Sequence, residues 1–238
     1  MKQPSFLLLA LAGAVPLLAQ TTVDQVLEKY TQAIGGQAAV EKVTSRTWKG
    51  TVEIPDDNVT GTVQMVAKAP DRFHMMMDIP GYGVVETVLD GQNGWEKNPD
   101  SGVHAMSNQD LAVARREHLF YRELKIKEMF PKLTMLEDGK VNGRPVHVIE
   151  AAPESGTAEK LYFDTESGLL LKRDYERITL EDGIVQYEMV LSDYRDVDGL
   201  KIPTTIEQRS PDSTTIFKYS EIKNDSPVED NAFAKPVK

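Results

Sequence analysis

The sequence predicts an α+β protein: a strongly curved antiparallel β-sheet, an incomplete barrel, with helices covering its concave face. Three observations predict it. Apolar residues recur at every second position through most of the chain, the period of strands with one buried face. Short turn sequences separate these runs without intervening helices, which favours hairpins over parallel crossovers. Only residues 22–43 and 108–130 switch to a helical period, and they are the covers available for the sheet's apolar face.

Residues 1–19 read as a secretory signal peptide. Lys2 is its only charge, Phe6 to Leu18 is apolar, and Ala19 is the expected last residue of the leader. The apolar run is shorter than the ~20 residues a bilayer-spanning helix needs. Residues 20–238 then form one domain, since no Pro-rich linker or low-complexity tract divides them.

The mature chain opens with Thr22-Val-Asp-Gln25, a capping box, followed by Val23, Val26, Leu27, Tyr30 and Ile34 on one helical stripe. Gly35-Gly36 stops that helix, and a short apolar-faced turn runs from Ala38 to Val43. From Arg46 the period becomes two. Trp48, Val52 and Ile54 share a face of the first strand, and Val59, Gly61, Val63, Met65 and Ala67 share a face of the second. Phe73, Met75, Met77 and Ile79 line one side of a third, Val84–Leu89 is a fourth, and Trp95 starts a short fifth. Residues 108 to about 130 break the β pattern: Asn108 is placed to cap a helix running through Leu111, Val113, Arg115 and Leu119, and Pro131 ends the region. Seven further strands follow, 133–137, 146–151, 159–164, 169–178, 184–193, 202–209 and 214–222. Turns such as Asn142-Gly143, Asp182-Gly183 and Asp198-Gly199 punctuate them.

Composition narrows the function. The net charge is −10, which repels phosphate backbones, so nucleic acid is not an expected partner. With no cysteine there is no disulfide, thiolate metal site, cysteine nucleophile or lipidated N-terminal cysteine. His74, His104, His118 and His147 lie at no metal-ligand spacing, and neither HExxH nor GxSxG occurs. Gly81-Tyr82-Gly83 lacks the third glycine and the helix of a phosphate cradle. Asp193, Asp196 and Asp198 lack the distal Glu of a calcium loop. No catalytic residue, metal or cofactor is expected.

Two features stand out. Met75-Met76-Met77 and Met65 place flexible, polarizable side chains on neighbouring strands, which suits a surface that adapts to variable apolar ligands, although core filling gives the same pattern. The segment from Arg115 to Lys132 is net positive in an acidic protein and rich in aromatic and aliphatic residues. Arg115, Arg116, Arg122 and Lys125 are therefore candidates for a surface that meets a membrane or an envelope protein, although a solvated helix over the core gives the same pattern.

The layout and several short motifs resemble the LolA-like superfamily of periplasmic lipoprotein-sorting carriers. The motifs are Ala67-Lys-Ala-Pro-Asp-Arg-Phe73, Asp90-Gly-Gln-Asn-Gly-Trp95, Leu161-Tyr-Phe-Asp164 with Gly168-Leu-Leu170, Tyr194 to Pro203, and Asp230-Asn-Ala-Phe233. The resemblance implies a half-barrel whose apolar cavity, under a helical lid, binds lipid or lipoprotein acyl chains in the periplasm. Strand parity nominates Trp48, Val52, Met65, Phe73, Met75, Met77, Trp95, Leu161 and Phe163 for that cavity. The alternative is an envelope sensor or protein-interaction module with a closed core and no lipid.

Overall fold

A computed structural model describes residues 21–179 and 183–237; the expected leader lies outside them. Thr22 begins the helix as expected: its side chain accepts from the Gln25 amide, and Gln25 reaches back to the Thr22 amide. Helix α1 (Val23–Ala33) is followed by the short α2 (Gln37–Lys42). Gly35, at a φ of +122°, ends the first, and a Cβ there would lie 2.6 Å from the Gly199 carbonyl oxygen.

The strands form two meanders. The first is β1 (Ser45–Ile54), β2 (Val59–Lys68), β3 (Arg72–Ile79), β4 (Gly83–Asp90), β5 (Gly94–Asn98) and β6 (Gly102–Ala105). The second is β7 (Lys132–Met135), β8 (Gly139–Val141), β9 (Arg144–Ala152), β10 (Glu159–Asp164), β11 (Leu170–Thr179), β12 (Gly183–Val197), β13 (Leu200–Arg209) and β14 (Thr214–Asn224). Together they make one 14-stranded sheet among the described residues, with every pairing antiparallel. The order is β6-β5-β4-β3-β2-β1-β14-β13-β12-β11-β10-β9-β7, with β8 also paired to β9. The seam between the meanders is therefore β1 on β14, in the middle of the sheet. A bulge at Lys49/Gly50 marks it, and a Cβ on Gly50 would fall 2.0 Å from the Lys218 carbonyl oxygen.

The sheet is open, because β6 and β7 at its ends do not pair with each other. It is also strongly curved. The segment joining those two ends carries α3 (Asn108–Glu117) and the short α4 (Ile126–Met129). Leu111 of α3 packs with Phe73 of β3 and Leu89 of β4, while Glu117 bonds Arg173 of β11 at 3.0 Å. In a flat sheet β4 and β11, seven places apart in the strand order, would be separated by about 34 Å. The helix between Leu111 and Glu117 is only about 9 Å long. One short helix reaches both because the sheet curls.

The sequence reading and the structure differ at several elements. The helical region 108–130 is divided: α3 ends at Glu117 with His118 as its C-cap, just short of the expected Leu119, and a 3-10 turn (Arg122–Leu124) separates it from α4. The cap of α3 is Ser107, whose hydroxyl accepts from the Asp110 amide at 3.2 Å, and not Asn108. β6 and β8 are additional strands.

The core lies largely where helices meet strands. Val26, Leu27 and Tyr30 of α1, Val40 of α2, and Ile126 and Phe130 pack with Ile149, Leu161, Phe163 and Ile202. In the other half of the sheet Val52, Val63 and Tyr219 form a buried cluster, bordered by a second built from Ala67, Phe73 and Leu89. Among the described residues no helix is long and apolar enough to cross a membrane.

Candidate functional site

A cavity of about 660 Å³ lies between the sheet and the segment that joins its ends. This is within the ~300–1,000 Å³ range of small-molecule sites. Its two ends differ in chemistry.

The apolar end is built from β1, β2, β3 and β14. Trp48 pairs with Met65, Met65 with Met75, and Ala67 with Phe73. Because side chains alternate across a strand, this register puts Trp48, Met65, Phe73, Met75 and Met77 on one face, and all five line the cavity. Leu161 of β10 lines it from the other meander.

The remaining three apolar candidates lie elsewhere. Val52 shares that face but is 1% exposed, buried in a cluster with Val63 and Tyr219. Phe163 is packed beneath α1, its ring centroid 5.2 Å from that of Tyr30. Trp95 pairs with Val88, while the neighbouring pair Thr87–Glu96 lines the cavity; alternation therefore turns Trp95 to the opposite face. The turn Asp230–Phe233 contacts β3 and β4, and its Asp230 pairs with Lys68 and Arg72 at 3.0 and 2.7 Å.

The charged end is built from α3, the 3-10 turn, β10 and β11. Arg173 of β11 is 5% exposed and Glu159 of β10 is 3% exposed. The Arg173 guanidinium donates to Glu159 at 2.7 Å and to Glu117 at 3.0 Å. Arg122 lies 3.4 Å from Glu159 and 3.9 Å from Glu117, and Arg116 Nε lies 4.0 Å from Glu159. Burial alone would raise the Glu117 carboxyl, but Arg173 and Arg122 outweigh it and hold the carboxyl well below its usual range. Burial pulls Arg173 down, but the two glutamates outweigh it and the net displacement is upward. Arg122 is lowered, chiefly by burial. His118, which ends α3, stacks on Phe73 at 3.8 Å, and burial lowers its imidazole to about 4. Burial raises the Tyr175 phenol to about 12.

The expected basic outer patch is thus divided. Arg116 and Arg122 line the cavity and turn toward buried acids. Arg115 donates to the Gly91 and Gln92 carbonyls at 3.0 and 2.6 Å, tying α3 to the β4–β5 turn. Lys125 pairs with Glu128 at 3.0 Å on the outside. The residues missed were Glu117, His118, Glu159, Arg173 and Tyr175. A signal existed for one of them, since Glu159 shares strand parity with Leu161 and Phe163. His74 and His147 are partly covered and sit beside Glu86 and Asp138. Among the described residues there is no group of three or more side chains arranged to hold a metal ion.

No family model and no curated protein matches the sequence. Solved structures do match. A DUF1329 family protein from Desulfovibrio piger superposes with a TM-score of 0.60 at 14% identity, covering 89% of this chain and 97% of its own. A domain described as an outer membrane lipoprotein-sorting protein, from Vibrio parahaemolyticus, gives 0.58 at 14% identity, over 90% and 98%. A LolA superfamily protein from Nitrosomonas europaea gives 0.58 at 15% identity, over 91% and 99%. At these identities the likeness concerns architecture, and with the open, curved antiparallel sheet it establishes that the chain has the LolA-like fold.

Proposed function

We propose that the protein is a carrier that binds the acyl chains of lipids or lipoproteins in this cavity, reversibly and without covalent chemistry. The segment from α3 to α4 acts as the lid over the concave face. One observation carries the reading: a cavity of about 660 Å³ whose sheet wall is formed by Met65, Met75, Met77, Trp48 and Phe73. Unbranched thioether side chains re-pack around chains of different length at little cost. Each buried methylene contributes roughly 0.8 kcal/mol, part of which is offset by ordering the chain and moving the lid. The superposition on a lipoprotein-sorting domain supports the same reading at the level of the fold.

The leader expected at residues 1–19, export to the periplasm, and a single domain over residues 20–238 belong to this proposal. So does a role for Lys125, on the outer side of the lid, in meeting an envelope partner or membrane surface.

The test is native mass spectrometry and lipid extraction of protein purified from an envelope fraction, followed by titration of delipidated protein with a fluorescent fatty acid. Co-purified acyl lipid and saturable uptake are expected. Protein that is consistently empty and ignores the probe refutes the carrier reading and favours a protein-interaction module.

A further inference from the structure

We propose that the ligand carries an anionic head, a carboxylate or phosphate monoester on an acyl chain, which Arg116 and Tyr175 hold inside the cavity. This deepens the acyl-binding reading and rests on it.

Among the described residues, two buried polar atoms lining the cavity have no hydrogen-bond partner, Arg116 Nε and Tyr175 Oη. Tyr175 is 4% exposed. Both atoms are donors in the states present near neutral pH, and each has lost water without gaining an acceptor. Arg173 connects them. It binds Glu159, which lies 4.0 Å from Arg116 Nε, and its guanidinium carbon lies 5.2 Å from the centre of the Tyr175 ring.

The nearby carboxylates do not satisfy Arg116. Glu159 and Glu117 are engaged by Arg173 and Arg122 at shorter distances, so the directly paired set holds three guanidiniums against two carboxylates. Around that set the cavity lining carries Arg46, Arg177 and Lys201 together with Glu96, Asp110, Glu123 and Glu176. An acceptor-only anion supplies what both orphaned donors lack, whereas a cationic head would find its glutamates occupied. The chain of such a ligand runs from Arg116, past Leu161, to the methionine wall.

The experiment compares ligands of one chain length on delipidated full-length protein below their micelle concentrations: palmitic acid, its methyl ester and hexadecyltrimethylammonium, with acetate and inorganic phosphate as chainless anions. Wild-type protein is expected to prefer the acid over the ester by about tenfold or more, the range of a charge-assisted hydrogen bond. Arg116→Met and the conservative Tyr175→Phe each reduce that preference severalfold. Equal binding of acid and ester by the wild type overturns the proposal, as does a preference that survives Tyr175→Phe or any folded Arg116→Met protein. Chainless anions that bind as tightly as the acid overturn it in favour of a free-anion site. If neither the acid nor the ester binds, the acyl-binding reading itself falls.

Discussion

Replacing Arg173 by methionine tests how α3 is fastened to the sheet. Arg173 donates to Glu159 at 2.7 Å and Glu117 at 3.0 Å, and all three side chains are at most 10% exposed. At an effective dielectric constant of about 20, unit charges ~4 Å apart attract by about 4 kcal/mol. Removing one member of a buried pair typically costs about 3–5 kcal/mol, because the partner stays buried and charged. Here Arg122 remains near both glutamates, so the lower end applies, about 3 kcal/mol. Urea denaturation should show that loss for Arg173→Met. The triple variant Arg173→Met/Glu117→Gln/Glu159→Gln, which removes the stranded charges, should regain most of it. In hydrogen exchange, the amides of α3 should lose protection in the single variant before those of β1 and β14. A loss under about 1 kcal/mol, or a triple variant no more stable than the single, would falsify the view that charge pairing fastens α3 to the sheet.

Three further perturbations follow from the geometry. His118 is lowered to about 4 by burial, so between pH 4 and its ordinary 6.5 the unfolded chain binds the extra proton and stability falls on acidification, by up to about 3 kcal/mol. Glu117, also lowered, withdraws further stability below about pH 4.5 as its carboxyl is forced to protonate. His118→Leu should flatten the stability profile between pH 4 and 6.5; an unchanged slope refutes the assignment. Met75→Trp should fill the apolar end and weaken fatty-acid binding at least about tenfold, while stability changes by less than about 1.5 kcal/mol. Gly50→Ala should cost about 3 kcal/mol in thermal or urea unfolding, since its Cβ would lie 2.0 Å from a backbone oxygen across the seam.

The sheet was legible because its signals are local. Alternation and turn chemistry follow from one strand and its neighbour, so the face holding Met65, Phe73, Met75 and Met77 could be read before any fold was known. The charged end was not legible, because its partners lie far apart in the chain. Arg116 and Arg122 meet Glu159 on β10, and Glu117 meets Arg173, 56 residues away on β11. A segment that is net positive despite its own glutamates reads as an outer surface; only the curl of the sheet brings Glu159 and Arg173 to it. Trp95 failed differently, since a short strand after Gly94 gives no second apolar residue to fix its parity. The break after Glu117 was hidden too, because apolar residues continue at helical spacing through Leu119, Phe120 and Leu124.

The seam between β1 and β14 has a consequence for how the chain folds. Arg46 pairs with Asn224, 178 residues away, whereas nearly every other strand pairs with a close sequence neighbour. Hairpins within each meander close short loops and form early; the seam must pay the entropy of the longest loop in the molecule. Until β14 arrives, β1 presents an unpaired edge in what will become the middle of the sheet, a template for another chain. The two halves can therefore assemble separately, but the vessel they make is completed by the last strand of the sequence.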